Sequence, residues 1–128
     1  MREILFRGKT IRKGVWVEGA FCMKDCDTPF GEMLDRPSII KYEEPNSGLW
    51  FRVEPETVGQ FTGLTDKNGK KIFELDIIKT KNRLFDGAEH EAKVVADLDD
   101  FYLMWCIKHS IETEVIGNIY DNPELLEG

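Results

Sequence analysis

Three cysteines and two histidines are the side chains in this sequence best suited to bind a transition metal. Cys22 and Cys26 form a Cys-x3-Cys pair, whereas Cys106, His90 and His109 are scattered along the chain. A structural zinc site needs two such pairs, or one pair with two histidines at a set spacing. The sequence therefore predicts no metal site and no cofactor.

His109 and Ser110, with Cys106 three residues before the histidine, supply a candidate base and candidate nucleophiles. Such a set works only when nucleophile and base lie within hydrogen-bond reach and a third group orients the base. The Gly-x-Ser-x-Gly context of a nucleophile elbow is missing. His90 stands between two glutamates, but in a strand their side chains point to the opposite face. The sequence therefore predicts no enzyme.

An aspartate cluster leaves one catalytic alternative open. In a strand, Asp97 and Asp99 would share a face, and with Asp76 they could hold a divalent cation for a hydrolase. With Asp100, the same residues also suit a turn, because turns favour aspartate. We prefer the turn, and the metal-dependent hydrolase remains the weaker alternative.

Residues 66–83 are locally basic, with six cationic residues against three acids. A basic stripe with interleaved aromatic residues can bind single-stranded nucleic acid. The whole chain, however, has a net charge of −7, which opposes binding to phosphate. Nucleic acid is thus an unlikely partner, although an accessory nucleic-acid-binding function stays open. The candidate contact residues are Lys67, Lys70, Lys71, Lys79, Lys81 and Arg83.

Short β-type runs separated by Gly, Asn, Asp and Pro dominate the chain and must position these side chains. We predict extended segments at 3–7, 14–23, 49–53, 71–80, 89–97, 101–107 and 112–120. The segment 101–107 is entirely apolar and seven residues long, which favours a buried strand over a helix. Residues 54–57 suit one helical turn, and 25–37 suit a loop with at most a short helix.

Glycine and Asn-Gly positions predict the turns and bulges. Asn-Gly favours positive φ, so a hairpin is expected between Leu64 and Ile72. The fold class is therefore mainly β: short antiparallel strands in a small, partly open barrel or a meander of SH3-like size, with room for one short helix. The predicted turn and bulge residues are Gly59, Gly63, Asn68, Gly69, Gly87 (after Asp86) and Gly117.

Composition and length predict a single domain over residues 1–128. Apolar residues make up 41% of the chain and include eight Phe and three Trp, enough for a packed core. We assign Trp50, Phe51, Tyr102 and Trp105 to the core or to an oligomer interface. No apolar run reaches the roughly 20 residues of a membrane span, and the N-terminus lacks a signal-peptide pattern. The odd number of cysteines suggests reduced thiols, so we expect a cytoplasmic protein without membrane contact.

Charge is unevenly distributed along the sequence. Residues 1–24 hold six Lys and Arg against two Glu, whereas residues 110–128 hold five carboxylates and no Lys or Arg. A basic beginning and an acidic end can attract each other between copies. This asymmetry favours self-association.

Two phrases of the sequence resemble the YopX family of phage-encoded proteins. The first covers 53–78 and contains Pro-Glu-Thr-Val-Gly-Gln-Phe-Thr-Gly followed by Lys-Asn-Gly-Lys; the second covers 114–126 and contains Gly-Asn-Ile-Tyr-Asp-Asn-Pro-Glu-Leu. The opening from Arg2 to Arg7 is also similar to the family's start. Phe61 stands where the family usually has Tyr. Leu75 replaces the usual Gly, so we expect a straighter strand there.

The resemblance implies a phage or prophage protein in the cytoplasm of a bacterial host that assembles as a homo-oligomer. It implies no catalytic residues. Our leading hypothesis is a non-enzymatic protein-interaction module whose partners are copies of itself and an unknown host or phage protein.

Overall fold

Antiparallel strands make up most of the chain that the computed structural model describes, which covers residues 4–27, 33–41, 50–83 and 87–127. The side chains of 22–27, 33–36, 40, 41 and 50 lie outside this description. The chain divides into two compact units, 1–60 and 61–128. The single domain over 1–128 stays a prediction.

The first unit is an antiparallel sheet with the strand order β4-β3-β2-β1-β5. Its core consists of Val17, Ile39 and Val53, and Phe6, Phe51 and Val58 pack against it. Its elements are β1 (Phe6–Lys9), β2 (Trp16–Asp27), β3 (Met33–Lys41), β4 (Trp50–Arg52), a 3-10 helix (Pro55–Thr57) and the start of β5 (Gly59–Thr65).

The second unit combines the β5–β6 hairpin with a three-stranded sheet of order β8-β7-β9 and one helix. Its core contains the buried side chains of Ile72, Ile78, Ala96 and Ile107, so hairpin, sheet and helix share one apolar cluster. Its elements are β5, β6 (Lys71–Phe73), β7 (Asp76–Arg83), β8 (Glu89–Val95), α1 (Phe101–Lys108), β9 (Glu112–Asn118) and a 3-10 helix (Pro123–Leu126).

The mainly β class is confirmed, as are the hairpin at Asn68-Gly69 and the helical turn near Pro55. Neither sheet closes into a barrel over the described ranges. Gly69 alone takes the positive φ that we expected around Asn-Gly, with a φ of 79°.

The predicted bulge positions are only partly correct. Gly63 has a φ of 88° and lies where the β5–β6 register shifts. The β7–β9 register shifts beside Gly117. Gly87 has a φ of 82°, while Asp86 lies outside the described residues. Gly59 is neither a turn nor a bulge, because it pairs with Arg7 in register within the sheet.

The prediction of a buried strand at 101–107 was wrong: Phe101–Lys108 is the helix α1. Asp100 caps it, since its Oδ1 accepts a hydrogen bond from the Leu103 N–H at 3.0 Å. Only Ile107 of this helix is fully buried. A run that is apolar at every position has no period, so the pattern could not separate strand from helix, whereas the aspartate before it is a helix-start signal.

Two further predictions are corrected by the backbone. The strand expected at 71–80 breaks into β6 and β7, because Leu75 adopts a φ of 72° and turns the chain. The loop expected at 25–37 is instead extended at both ends, since β2 runs to Asp27 and β3 begins at Met33.

Neighbouring strands hold Leu75 in its unfavourable conformation. Its N–H donates to the carbonyl of Ala96 at 2.8 Å, and its carbonyl accepts from Ile119 at 3.2 Å. Asp76 adds a third constraint, because its Oδ2 accepts the Phe73 N–H at 2.8 Å. A strained φ persists where the surroundings fix it in this way.

Candidate interaction surface

The helix α1 is apolar on two sides but buries only one of them. Ile107, Leu103 and Met104 pack into the core of the second unit. On the other side Phe101 is 83% exposed, Tyr102 75% and Trp105 52%. Tyr102 and Trp105 therefore do not lie in the core, and their place in an oligomer interface stays a prediction, whereas Phe51 packs against the core of the first unit.

Such an exposed face is unusual for a helix. A helix that is apolar all round is normally buried on all sides. The three exposed side chains present on the order of 400 Å² of aromatic surface, the size at which a patch on a single chain is often functional. We call Phe101, Tyr102, Trp105 and His109 the aromatic face of α1.

The two ends of α1 differ in charge. Exposed Asp97 and Asp99 precede the helix beside the capping Asp100, and the Asp97 Oδ1 accepts the Asp99 N–H at 2.9 Å. Lys108 closes the last turn. The His109 ring lies 4.6 Å from the Trp105 ring and extends the aromatic face to the basic end.

A cleft of about 250 Å³ lies beside the end of α1. Leu64, Ile107 and Ile111 supply its apolar lining, and Lys67 and Lys108 contribute charge. Ile111 is exposed, so this cleft continues apolar surface beyond the helix.

The predicted basic stripe is interleaved with carboxylates on the β8-β7-β9 sheet. Arg83 lies 3.2 Å from Glu89, and Lys79 lies 3.6 Å from Glu91. Alternation along antiparallel strands causes this, because Lys81 stands directly between Glu91 of β8 and Glu112 of β9 in the register.

The hairpin lysines complete the stripe. Lys67 lies 3.3 Å from Glu114, and the Lys71 Nζ lies 5.7 Å from the centre of the Phe61 ring. Lys70 is exposed at the hairpin tip. The structure thus brings Lys67, Lys79 and Lys81 together, but each lies beside a glutamate. Among the described residues, these three lysines form no uncompensated cationic stripe of the kind that phosphate binding uses.

The Asp66 side chain accepts three backbone hydrogen bonds, and the residue is only 7% exposed. Its Oδ1 accepts the N–H groups of Asn68 and Lys70, both at 2.9 Å. Its Oδ2 accepts the Val115 N–H at 3.0 Å, which ties the hairpin to β9. Burial alone would raise the pKa of Asp66, but the three N–H donors and the charge of Lys70 outweigh it and lower the pKa below its ordinary value of 3.8.

Threonines of the first family-like phrase also form hydrogen bonds with backbone groups. The Thr57 hydroxyl accepts the Lys9 N–H at 2.9 Å and donates to the Glu54 carbonyl. The Thr62 hydroxyl donates to the Ile72 carbonyl at 2.7 Å. These positions hold turns and strand pairs together.

The second phrase forms a compact turn after β9. The Asn118 Oδ1 accepts the N–H groups of Tyr120 and Asp121 at 3.0 and 2.9 Å. The Asn122 Oδ1 accepts the Asn118 N–H at 3.2 Å. A Cβ at Gly117 would lie 2.5 Å from that Oδ1, so only glycine lets Asn122 approach.

The candidate metal-binding aspartates have different structural roles. Asp76 is buried and binds the Phe73 N–H, whereas Asp97 and Asp99 form the turn before α1. Over the described part of the chain, no three His, Cys, Asp or Glu residues are grouped to hold a metal ion.

The hydroxyl and the imidazole near the end of α1 have other contacts. The Ser110 Oγ donates to the carbonyl of Cys106 at 2.8 Å, and His109 stacks on Trp105. The side chains of Cys22 and Cys26 lie outside the described residues. Ser110 and His109 thus form no nucleophile–base pair.

Sequence reasoning missed the aromatic face and the role of Asp66. The helix-start signal at Asp99-Asp100 would have pointed to the first. An aspartate at the start of an Asn-Gly turn would have pointed to the second, because Asp side chains bind the N–H groups two residues on.

Fold and surface together define a small, mainly β protein with motif residues in its turns and an exposed aromatic helix. A family model described as YopX protein matches residues 23–127. The chain therefore belongs to the YopX family. A comparison with curated proteins finds no match. No helix in the described ranges is long and apolar enough to cross a membrane.

Proposed function

We propose that this YopX-family chain is a non-enzymatic protein-interaction module that assembles with copies of itself. We further propose, from the resemblance and the reduced cysteines, that it is a phage or prophage protein acting in the cytoplasm of a bacterial host. An additional host or phage partner is part of this proposal.

The observation that carries the proposal is the exposed aromatic face of α1. Burying this face against another protein surface contributes a free energy of about 25 cal/mol per Å² of apolar area removed from water. A second copy of the chain is a ready partner, because it is present wherever the chain is. The opposite charges of segments 1–24 and 110–128 add attraction between copies.

The absence of a supported reaction favours this function over catalysis. Asp66, Asp76 and Asn118 are engaged with backbone N–H groups, which gives them a sufficient structural role. The basic residues of the sheet lie beside carboxylates, which weakens the nucleic-acid alternative.

Sedimentation velocity from about 1 to 200 µM tests the proposal, a range set by the micromolar affinity expected of a small interface. We expect the parent chain to assemble, and the double variant Phe101→Ser, Trp105→Ser to remain monomeric with an unchanged circular dichroism spectrum. Both side chains are exposed, so their loss costs little stability.

Ile11→Ser is the matched control, because Ile11 is a 52% exposed apolar residue of the first unit. The control should assemble like the parent. A parent chain that stays monomeric at every concentration would overturn the proposal. A double variant that assembles like the parent would show that the aromatic face of α1 is not the contact surface.

A further inference from the structure

We infer that two copies of α1 pack antiparallel across a two-fold axis that passes beside Trp105. This inference rests on the proposed self-association and specifies its surface and geometry. An isologous contact of this kind uses the same patch on both copies.

The positions of the aromatic side chains define the centre of the contact. Phe101 and His109 mark the two ends of the aromatic face, and Trp105 lies midway between them along the helix. At 1.5 Å per residue the face is about 12 Å long. A two-fold axis at its centre stacks Trp105 on its own copy and places Phe101 beside His109 of the second chain.

Charge selects the antiparallel direction. Asp99 lies just before the helix and Lys108 ends it, so antiparallel packing sets each aspartate near the lysine of the second copy. Parallel packing would instead bring like charges together, and it would align the two helix dipoles unfavourably. Opposite charges across an interface fix its register and suppress wrong arrangements.

These end charges are available for such a contact. Within the part of the chain that the structure describes, neither Asp99 nor Lys108 joins an ion pair through its side chain, whereas Lys79 and Arg83 of the sheet do. The sheet residues Lys79 and Arg83 thus have opposite charges beside them within one chain. Asp99 and Lys108 gain such neighbours only when two copies of the helix pack together.

The area fits a dimer of modest affinity. Two aromatic faces bury roughly 800 Å² in total, below the roughly 1,200 Å² at which stable specific interfaces begin, so we expect a weak, transient dimer that dissociates in the micromolar range or above. Ile111 and the neighbouring cleft edge lie beside the helix end and can add to this area.

Charge reversal tests the direction of packing. We compare the parent with Lys108→Glu, with Asp99→Lys and with the double variant by sedimentation equilibrium at low ionic strength. Each single change should raise the dissociation constant about tenfold, since two symmetric contacts become repulsive. The double variant should restore the parent value, and an equimolar mixture of the two single variants should associate more tightly than either alone.

Two controls isolate the contact. Lys93→Glu changes the net charge as Lys108→Glu does, but at an exposed position of β8, and it should leave the dissociation constant unchanged. At about 1 M salt the differences among the variants should vanish through screening.

The possible outcomes distinguish the antiparallel helix contact from the proposed self-association on which it rests. A parent chain that is monomeric at every concentration defeats the proposed function. A parent that assembles while both single reversals assemble equally well leaves self-association intact and defeats the antiparallel helix contact.

Discussion

Individual polar side chains in the two family-like phrases act mainly on the backbone. Asp66, Thr62, Asn118 and Asn122 each bind backbone groups of a turn or of a neighbouring strand. A buried N–H without a partner is costly, so these residues stabilise the connections of the second unit. Their residue types follow from this geometry and require no reaction.

Replacing Asp66 with Asn should lower the free energy of unfolding by about 2 kcal/mol, because an amide cannot accept all three N–H bonds and leaves a buried donor unpaired. Urea denaturation at neutral pH measures the loss. Glu91→Gln is the matched control at an exposed position of β8, where a surface ion pair contributes little, and it should change stability by less than about 0.5 kcal/mol. An equal effect at both positions would contradict the assigned role.

The lowered pKa of Asp66 also fixes the sign of a pH dependence. The unfolded chain takes up a proton near pH 3.8, whereas the folded chain does so at lower pH. The stabilisation is thus fully present above pH 3.8 and is lost as the pH falls through the folded pKa. The stability difference between the parent and Asp66→Asn should shrink accordingly in urea titrations below pH 3.8.

Leu75 offers a test of backbone strain at a single residue. Leu75→Gly should be more stable than Leu75→Ala by about 1 kcal/mol, because only glycine accepts positive φ without penalty. At the comparably half-buried Leu125 the order of the same two changes should reverse. Thermal or urea unfolding of the four variants measures these differences in stability. Equal stabilities of Leu75→Ala and Leu75→Gly would argue against backbone strain at this position.

At the scale of elements, α1 shows how neighbouring segments decide the conformation of an ambiguous run. Asp100 satisfies the helix start, and Ile107 reaches the core formed by Ile72, Ile78 and Ala96. Tertiary burial of one side selects the helix and leaves the aromatic side exposed. In the buried strand predicted from the sequence, these aromatic side chains would not be exposed.

The end of β9 provides a prediction about close packing between an element and its turn. Gly117→Ala should reduce stability by about 2 kcal/mol, because the new methyl group overlaps the Asn122 side chain. Adding Asn122→Gly removes the overlap, so the double variant should lose less than the sum of the single losses. A double-mutant cycle from urea unfolding measures this coupling, and strict additivity would contradict the contact.

At the scale of the whole molecule, charged side chains of the sheet form contacts within the chain, whereas the aromatic face of α1 is exposed to solvent. Several sheet cations lie beside sheet anions, while the helix carries exposed aromatic surface. A net charge of −7 makes copies of the chain repel one another at long range, so the self-association that we propose depends on a short-range apolar contact.

Assembly through α1 predicts that stability depends on protein concentration. The thermal midpoint of the parent should rise by roughly 2–4 °C between about 5 and 200 µM, because association stabilises the folded state by mass action. Differential scanning calorimetry of the parent and of Phe101→Ser, Trp105→Ser measures this. The double variant should show a constant midpoint; a parent midpoint that is constant as well would contradict assembly.

The sequence alone determined the mainly β class, the Asn-Gly hairpin, the helical turn at Pro55 and the family likeness, because turn chemistry and alternation are local properties. Tertiary structure decided the rest. Backbone contacts from Ala96 and Ile119, just after β8 and β9, hold Leu75 at positive φ. Strand register placed Lys81 beside Glu91 and Glu112, and burial of one side made 101–107 a helix. Each of these outcomes depends on residues far apart in the chain, and local patterns do not contain that information.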